Sequence, residues 1–180
     1  MEKQQHSNLL EQTLILLKPD ALDRGIVGEI IARFERAGLK LVGMKLLVSE
    51  KDTAMRHYTE DLARRRGERV RELMIDMITS GPIMAIVLEG IDVIEVVRKI
   101  VGATEPKSAL PGTIRGDYAH MSYSHADSHG VGIPNLVHAS SDTKEAKAEI
   151  EHWFGPEELF DYPLAHGHFT LTDKKSTAKK

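Results

Sequence analysis

The stretch "TLILLKPDALDRGIVGEIIARF", Thr13 to Phe34, decides the fold. Its first five residues, Thr13 to Leu17, form an apolar run that is too short for a core helix and typical of a strand covered on both faces. The next segment, "KPDALDRGIVG", combines proline, glycine and charges, which indicates a loop. Apolar residues then recur at the spacing of one helical face, at Val27, Ile30, Ile31 and Phe34. The stretch therefore predicts a buried strand, a loop and an amphipathic helix.

Two further segments have the character of strands. Residues 39–48, "LKLVGMKLLV", alternate in hydrophobicity, and the phase of the alternation changes at Gly43. A β-bulge at Gly43 explains that change, because a bulge inserts one extra residue into a strand. Residues 83–90, "IMAIVLEG", predict a second buried strand.

Helical patterns fill most of the remaining chain. Residues 70–78 and 93–101 each carry an apolar stripe at helical spacing, and Asp142 with Glu145 indicates a capping box that begins a last helix. Residues 102–117 contain glycine and proline and read as a loop. The order β-α-β-α-β-α-loop-β-α predicts an α+β fold, a ferredoxin-like α/β sandwich in which helices pack on an antiparallel four-stranded sheet.

The composition is that of an ordinary globular protein. The chain has 180 residues, 41% hydrophobic and 28% charged, and a net charge of −3, so any attraction to a polyanion has to come from a local cluster. It contains no cysteine, which excludes disulfides and thiolate chemistry and fits a reducing compartment. We expect one domain over residues 1–180, with its core in 12–165 and a disordered basic tail at 172–180, located in the cytoplasm and not in a membrane.

Several polar side chains stand where the predicted elements begin or end. Three fixed cations, two hydroxyls, an amide and an imidazole would together suit a bound polyphosphate. Each one alone also has an ordinary structural explanation, such as a solvated helix face or an ion pair between Arg115 and Asp117. Spacing in one sequence does not show that they converge. The candidates are Lys18, Tyr58, Arg98, Thr104, Arg115, Asn135 and His138.

A resemblance connects these residues. The segments "TLILLKPDALDRGIVGEIIARFERAGLKLVGMKL", "HY", "SGPIMAIVLEG", "VVRKIVGATEP", "PGTIRGDY" and "NLVHAS…AEIEHWF" follow one another between Thr13 and Tyr162. In this order they resemble the nucleoside diphosphate kinase family. The combination of "PGTIRGD" with N-x-x-H, a small residue and serine is specific to that family.

The resemblance implies a role for each candidate. His138 matches the histidine that accepts the phosphoryl group, and an unperturbed imidazole, with a pKa of ~6.5, is largely uncharged at neutral pH. Glu149 matches the glutamate that holds the proton on the other ring nitrogen, and Ser140 matches a supporting hydroxyl. The remaining matches are to nucleotide-binding residues. These are the phosphate-binding cations Lys18, Arg98 and Arg115, the hydroxyl donors Tyr58 and Thr104, and Asn135 for the sugar 3′-hydroxyl.

The implied reaction has two steps. ATP phosphorylates His138, and an acceptor nucleoside diphosphate then takes the phosphoryl group in the same site, which gives ping-pong kinetics. Mg²⁺ is expected to be held mainly by the nucleotide phosphates. Family members form homo-oligomers, so we expect a hexamer, with a tetramer or dimer as the alternatives, and we expect no nucleic-acid partner.

The chain departs from the family at the position that contacts the base. The family carries a phenylalanine that stacks on the base, whereas Val70 takes that position here, with Met74 beside it. Arg64 to Arg66 either compensate by reaching the nucleotide or form a solvated charge run. A catalytically weak nucleotide-binding or regulatory module is therefore the alternative function, and nucleic-acid binding through the arginines is a third.

Two further departures lie close to His138. The connection over residues 119–134 is longer than usual, and its histidines are interpreted as part of a polar loop, with a metal site between two of them as the less favoured alternative. These histidines are His120, His125 and His129. Ala139 replaces the usual glycine after the nucleophile, and we expect this methyl group to be tolerated if φ is negative.

Overall fold

The structure is a computed structural model that describes residues 9–170. Within that part of the chain, four strands form one sheet in the order β2-β3-β1-β4, and every neighbouring pair is antiparallel. The strands are β1 (Leu10–Leu17), β2 (Lys40–Val48), β3 (Pro82–Ile91) and β4 (Val137–Ala139). This is the ferredoxin-like arrangement that the sequence predicts. The basic tail at 172–180 lies outside the described residues.

Helices cover both faces of the sheet. Their bounds are α1 (Pro19–Asp23), α2 (Val27–Arg36), α3 (Lys51–His57), α4 (Glu60–Arg66), α5 (Glu68–Thr79), α6 (Val93–Val101), α7 (Ile114–Tyr118), α8 (Tyr123–His129), α9 (Thr143–Trp153) and α10 (Gly167–Thr170). Two short 3₁₀ turns complete the set, at Pro106–Ser108 and Pro156–Glu158. None of the described helices has the length and apolar character needed to cross a lipid bilayer.

The apolar run of β1 supplies two cores at once. Leu14 and Leu16 point to one face of the sheet, where they pack with residues of α3, α5 and α9. Ile15 and Leu17 point to the opposite face, where they pack with α2 and α6. All four side chains are fully buried. Because successive residues of a strand alternate between faces, a strand between two helical layers has to be apolar throughout.

The phase change in β2 is a β-bulge, as predicted. The pairing of β2 with β3 shifts register between Leu41 and Gly43. A Cβ atom on Gly43 would lie 2.8 Å from the carbonyl oxygen of Glu158, so the close approach of the C-terminal segment also requires glycine there. The backbone N–H of Phe160 donates to Val42, which covers this part of the sheet edge.

Three segments that the sequence predicts as loops contain helices. The segment after β1 holds α1, residues 102–117 hold a 3₁₀ turn and the start of α7, and residues 119–134 hold α8. These loop predictions are wrong because helices this short have too few residues to show an apolar period. Their ends are fixed by local caps: Thr113 accepts from the N–H of Gly116, and Ser122 accepts from the N–H of His125.

The apolar stripe of α5 does not lie entirely in the core. Ile75 and Ile78 are buried against the sheet, as a helix that covers a sheet requires. Val70 is 38% exposed and, with Leu73 and Met74, lines an open cavity between α5 and α8. The first turns of this stripe therefore face a cavity that is available to a ligand.

Candidate functional site

His138 is held at the edge of the sheet by its buried neighbours. It lies in β4 opposite Leu16 of β1, and its side chain is 18% exposed. Leu136 and Val137 are buried and anchor the strand on the sheet. Ala139 pairs with Ile15 and does not have a positive φ, so the expected tolerance of its methyl group is consistent with the backbone.

A carboxylate from α9 contacts the imidazole. Oε1 of Glu149 lies 2.8 Å from Nε2 of His138, although no hydrogen bond of good geometry reaches that nitrogen from the described residues. Oε2 of Glu149 accepts from Oγ of Ser140 at 2.6 Å. α9 begins at Asp142, whose carboxylate accepts from the N–H of Glu145 at 2.8 Å. The carboxylate therefore engages Nε2, and Nδ1 is the nitrogen that it does not contact.

Lys18 is a buried cation beside the imidazole strand. Only 2% of the residue is exposed, and its Nζ donates to Oδ1 of Asn135 at 2.7 Å. Burial lowers the pKa of Lys18 to about 7; the charge of Asp20 opposes this effect, and that of Arg115 adds to it. The amine therefore holds its proton less firmly than an exposed lysine does, and a bound phosphate would stabilise its charged form.

Arg115 on α7 binds backbone carbonyls around the same strand. Its Nη2 donates to Val137 at 2.5 Å, its Nε to Asn135 at 3.1 Å and its Nη1 to Gly102 at 2.8 Å. Burial lowers the pKa of Arg115 to about 10.

The alternative pairing of Arg115 with Asp117 is wrong, because Asp117 pairs with Arg33 of α2. Arg115 therefore keeps its charge on the side of α7 that faces the histidine strand.

A small cavity of about 230 Å³ brings most of the candidates together. Arg98 and Thr104 are exposed at this cavity, and the backbone carbonyl of Thr104 accepts from Nδ2 of Asn135 at 2.8 Å. The structure thus brings together residues from five separate parts of the chain. The candidate residues that line the cavity are Lys18, Arg98, Thr104, Arg115, Asn135 and His138.

Tyr58 reaches the neighbouring cavity with His57, which the sequence analysis did not single out. The ring of His57 contacts the ring of His138 edge to face, with centroids 4.5 Å apart. Its Nδ1 accepts from Nε1 of Trp153 at 3.2 Å, and burial holds the pKa of His57 well below its usual range. Burial raises the pKa of the Tyr58 phenol, so both groups are neutral. The only available signal for His57 was its place in the "HY" pair.

A larger cavity of about 420 Å³ continues from His138 between α4, α5 and α8. Its lining includes Arg65 and Arg66, so part of the arginine run reaches the cavity wall. α8 faces them with Tyr123, which is 37% exposed. The inserted segment is therefore a structured wall of the cavity and not a polar loop. The apolar side chains on the walls are Leu62, Val70, Leu73, Met74, Ala126, Val131 and Ile133.

The inserted histidines do not form a three-residue metal site. His125 and His129 lie one turn apart on α8 with ring centroids 4.2 Å apart, but Nδ1 of His129 contacts the carbonyl of His125. Within residues 9–170, the one group of three or more side chains suited to a metal is His57, His138 and Glu149. Two imidazoles favour transition metals, whereas Mg²⁺ favours oxygen ligands.

Comparison with known proteins identifies similar chains. Residues 11–159 match the family model described as nucleoside diphosphate kinase. A nucleoside diphosphate kinase of Pyrococcus horikoshii is 47% identical over 159 residues, which cover 88% of this chain and 94% of the relative.

Two solved structures are also similar. One is a transition-state mimic of the nucleoside-diphosphate kinase from Borrelia burgdorferi with bound vanadate and ADP, with a TM-score of 0.87, 42% identity, and coverage of 89% of this chain and 96% of that chain. The other is a halophilic enzyme from Halobacterium salinarum in complex with CDP, with a TM-score of 0.75, 36% identity, and coverage of 88% and 96%.

Proposed function

Because the chain belongs to the nucleoside diphosphate kinase family of phosphotransferases, we propose that it transfers the γ-phosphoryl group of ATP to nucleoside diphosphates through His138. The observation that carries this proposal is the contact between Nε2 of His138 and Glu149 beside the cavity lined by Lys18 and Arg115. A nucleophile, a group that orients it and cations for the phosphates are thus within one site.

In the first step, Nδ1 of His138 attacks the γ-phosphorus of ATP. A bond forms between Nδ1 and phosphorus, the bond from phosphorus to the bridging oxygen breaks, and ADP leaves with that oxygen. The carboxylate of Glu149, with Oε1 2.8 Å from Nε2, favours the tautomer that carries its proton on Nε2 and stabilises the positive charge that develops on the ring. In the second step, a terminal oxygen of a nucleoside diphosphate attacks the phosphohistidine and regenerates the imidazole.

The surrounding polar groups position the phosphates. Lys18, Arg98 and Arg115 place positive charge where the transferred group spreads its negative charge, and the hydroxyls of Tyr58 and Thr104 provide hydrogen bonds. Asn135 contacts the sugar 3′-hydroxyl. Its side chain is already held between Lys18 and the carbonyl of Thr104, so it is oriented before the nucleotide arrives.

We propose that Mg²⁺ enters with the nucleotide. The described residues provide no cluster of oxygen ligands of their own, and the single metal-competent group contains two imidazoles, so the residues present fit a cation carried by the phosphates. When bound, Mg²⁺ neutralises phosphate charge and orients the polyphosphate for in-line transfer.

The substrates are ATP and nucleoside diphosphates with little selection for the base. The similar Borrelia and Halobacterium proteins were solved with ADP and CDP respectively, a purine and a pyrimidine nucleotide. The base cavity of this chain has mainly apolar walls, which would accept either ring.

A homo-oligomer, with a hexamer favoured over a tetramer or dimer, is part of the proposal. β2 is an edge strand, and Met44, Leu46 and Val48 on one side of it are 48%, 61% and 65% exposed. A row of exposed apolar residues on an edge strand is suited to burial against a second copy. Light scattering on wild type and on Leu46→Lys measures the assembly, and an unchanged mass in the variant would place the contact elsewhere.

We further propose that residues 1–180 act as one domain in the cytoplasm, where the absence of cysteine gives no disadvantage.

The experiment for the main proposal uses ATP labelled at the γ-phosphate. The isolated protein should keep acid-labile, base-stable label and release it to added CDP or GDP. Protein that binds ATP without becoming labelled would overturn the proposed reaction, and labelled protein that does not discharge would indicate a regulatory module.

A further inference from the structure

The backbone immediately before His138 has a strained conformation. Leu136 has φ of +69°, in the left-handed region that side chains other than glycine rarely adopt. The N–H of Val137 donates to the carbonyl of Asn135 at 2.8 Å, which closes a γ-turn centred on Leu136. Such turns with positive φ are rare and strained, and they persist only where surrounding contacts hold them.

Asp20 provides one of those contacts. Its Oδ2 accepts from the N–H of Leu136 at 3.0 Å, across a sequence separation of 116 residues. The carbonyl of Leu136 accepts from the N–H of Lys18 at 2.9 Å, so both backbone groups of the strained residue are held by the start of α1. The turn decides where Asn135 and His138 point, because Asn135 is its first residue and His138 directly follows its last.

The second carboxylate oxygen of Asp20, Oδ1, differs from the first in its surroundings. Oδ1 is buried and has no hydrogen-bond partner among the described residues. The negative charge of Asp20 acts on Lys18, Tyr58 and Arg115. A buried carboxylate oxygen without a hydrogen bond is costly unless positive charge lies nearby, and Lys18 and Arg115 are both bonded to the turn that Asp20 contacts.

We infer that Asp20 is a positioning residue for phosphoryl transfer: it holds the strained turn that orients Asn135 and His138, and it places a negative charge at the turn that Lys18 and Arg115 also contact. The inference rests on the proposed function of the same site. The side chain of Asp20 has two effects on the site. One is a hydrogen bond, which an amide can replace, and the other is a negative charge, which an amide cannot replace.

Several charged or titratable groups near Lys18 affect its protonation. Asp20 favours its charged form, whereas burial and Arg115 oppose it, and His57, although neutral, also interacts with it. Arg98 and His138 line the same cavity. Without the charge of Asp20 the remaining groups all oppose the ammonium, so its pKa falls below about 7 and binding of ATP weakens at a lower pH.

The test compares Asp20→Asn, Asp20→Ala and the control Asp23→Asn, an exposed carboxylate on the same helix. KM for ATP and the single-turnover rate of phosphoenzyme formation are measured between pH 6 and pH 9. Asp20→Asn should match wild type within ~2-fold at pH 6 and have a KM ~10-fold higher at pH 8, because less of Lys18 is then protonated. Asp20→Ala should also lose ~10-fold or more in the rate at saturating ATP at every pH, because the turn is no longer held.

Two results would overturn the inference: pH profiles of Asp20→Asn that superimpose on wild type, or a loss that is the same at every pH. If Asp20→Asn does not fold by circular dichroism, Asp20→Glu takes its place. It keeps the charge, so its pH profile should follow wild type while its saturating rate falls, and a shifted profile would contradict the charge role. Wild-type protein that forms no phosphoenzyme would refute the proposed function itself, which is distinguishable from either result.

Discussion

The two ends of the site are built in different ways. At the phosphate end, Lys18, Arg115 and Asn135 are buried and bonded to one another or to backbone carbonyls before any nucleotide binds. At the base end, the cavity walls are partly exposed and include Val70, which we expect to take the position where the family stacks a phenylalanine. Preorganisation is therefore concentrated where the reaction takes place, and the base end is free to vary because it only has to hold an apolar ring.

The largest expected effect comes from removing the nucleophile. His138→Ala should lose all label transfer from ATP, because the accepting ring is absent and the neighbouring imidazole of His57 is buried and hydrogen-bonded to Trp153. The measurement is phosphoenzyme formation at saturating ATP, with His125→Ala on α8 as the matched control. Label that persists in His138→Ala at the wild-type level would place the nucleophile elsewhere and would remove the distinction between the two ends.

At the phosphate end, replacing Arg115 should reduce activity strongly even when the positive charge is kept, although less than removing the nucleophile. Arg115→Lys retains a cation but cannot donate to the carbonyls of Gly102, Asn135 and Val137 at once. We expect kcat/KM to fall by ~10²-fold, as for misplaced catalytic groups. The control is Arg36→Lys, at an exposed arginine of α2. A loss below ~3-fold would show that the backbone bonds of Arg115 are dispensable.

Changes at the base end should be smaller and should appear mainly in KM. Tyr123 is the aromatic side chain that α8 contributes to the base cavity, so Tyr123→Leu should raise KM for nucleoside diphosphates by ~5-fold to ~100-fold while leaving the saturating rate close to wild type. Val70→Phe in the same protein should restore part of the loss, because it returns an aromatic ring to the α5 wall.

A phosphoryl donor that lacks a base distinguishes effects at the phosphate end of the site from effects at the base end. Inorganic triphosphate should phosphorylate His138 equally well in wild type and Tyr123→Leu. If Tyr123→Leu impairs that donor as strongly as ATP, Tyr123 acts on the phosphates and the division into two ends is wrong.

The pH dependence of the site has opposite signs for binding and for stability. Because burial lowers the pKa of Lys18 to about 7, its charge is lost as the pH rises through 7, and KM for ATP should increase above that pH. In the unfolded chain the lysine stays protonated up to ~10.4, so the contribution of Lys18 to the free energy of unfolding should rise between pH 7 and ~10.4. Lys18→Met should flatten both trends. Parallel trends in wild type and variant would exclude Lys18 as their origin.

Much of the fold was predictable from the sequence, because burial of one or both faces of a strand or helix imposes a regular spacing on its apolar residues. The run Thr13–Leu17 and the phase change at Gly43 predicted a two-sided strand and a bulge, and both are confirmed. The helices α1, α7 and α8 were missed because each has only five to seven residues and depends on caps and tertiary contacts. Short helices leave no period to recognise.

The site was less accessible to sequence reasoning than the fold. Lys18, Arg115 and His138 could be grouped only through a family resemblance, since they are far apart in the chain and no local pattern joins them. Asp20 and Tyr123 gave no signal, and His57 gave none beyond its place in the "HY" pair, because their positions follow from a strained turn, an inserted helix and a buried aromatic contact. The roles of all these residues stay predictions until they are measured.

The proposed mechanism specifies which nitrogen of His138 carries the phosphoryl group. Glu149 contacts Nε2, so the phosphoenzyme formed from ATP should carry phosphorus on Nδ1. Phosphorus–nitrogen couplings in the NMR spectrum of the protein labelled with ¹⁵N-histidine distinguish the two isomers. A single Nδ1-phosphohistidine at residue 138 is the predicted result, and phosphorus on Nε2, or on another residue, would contradict the account.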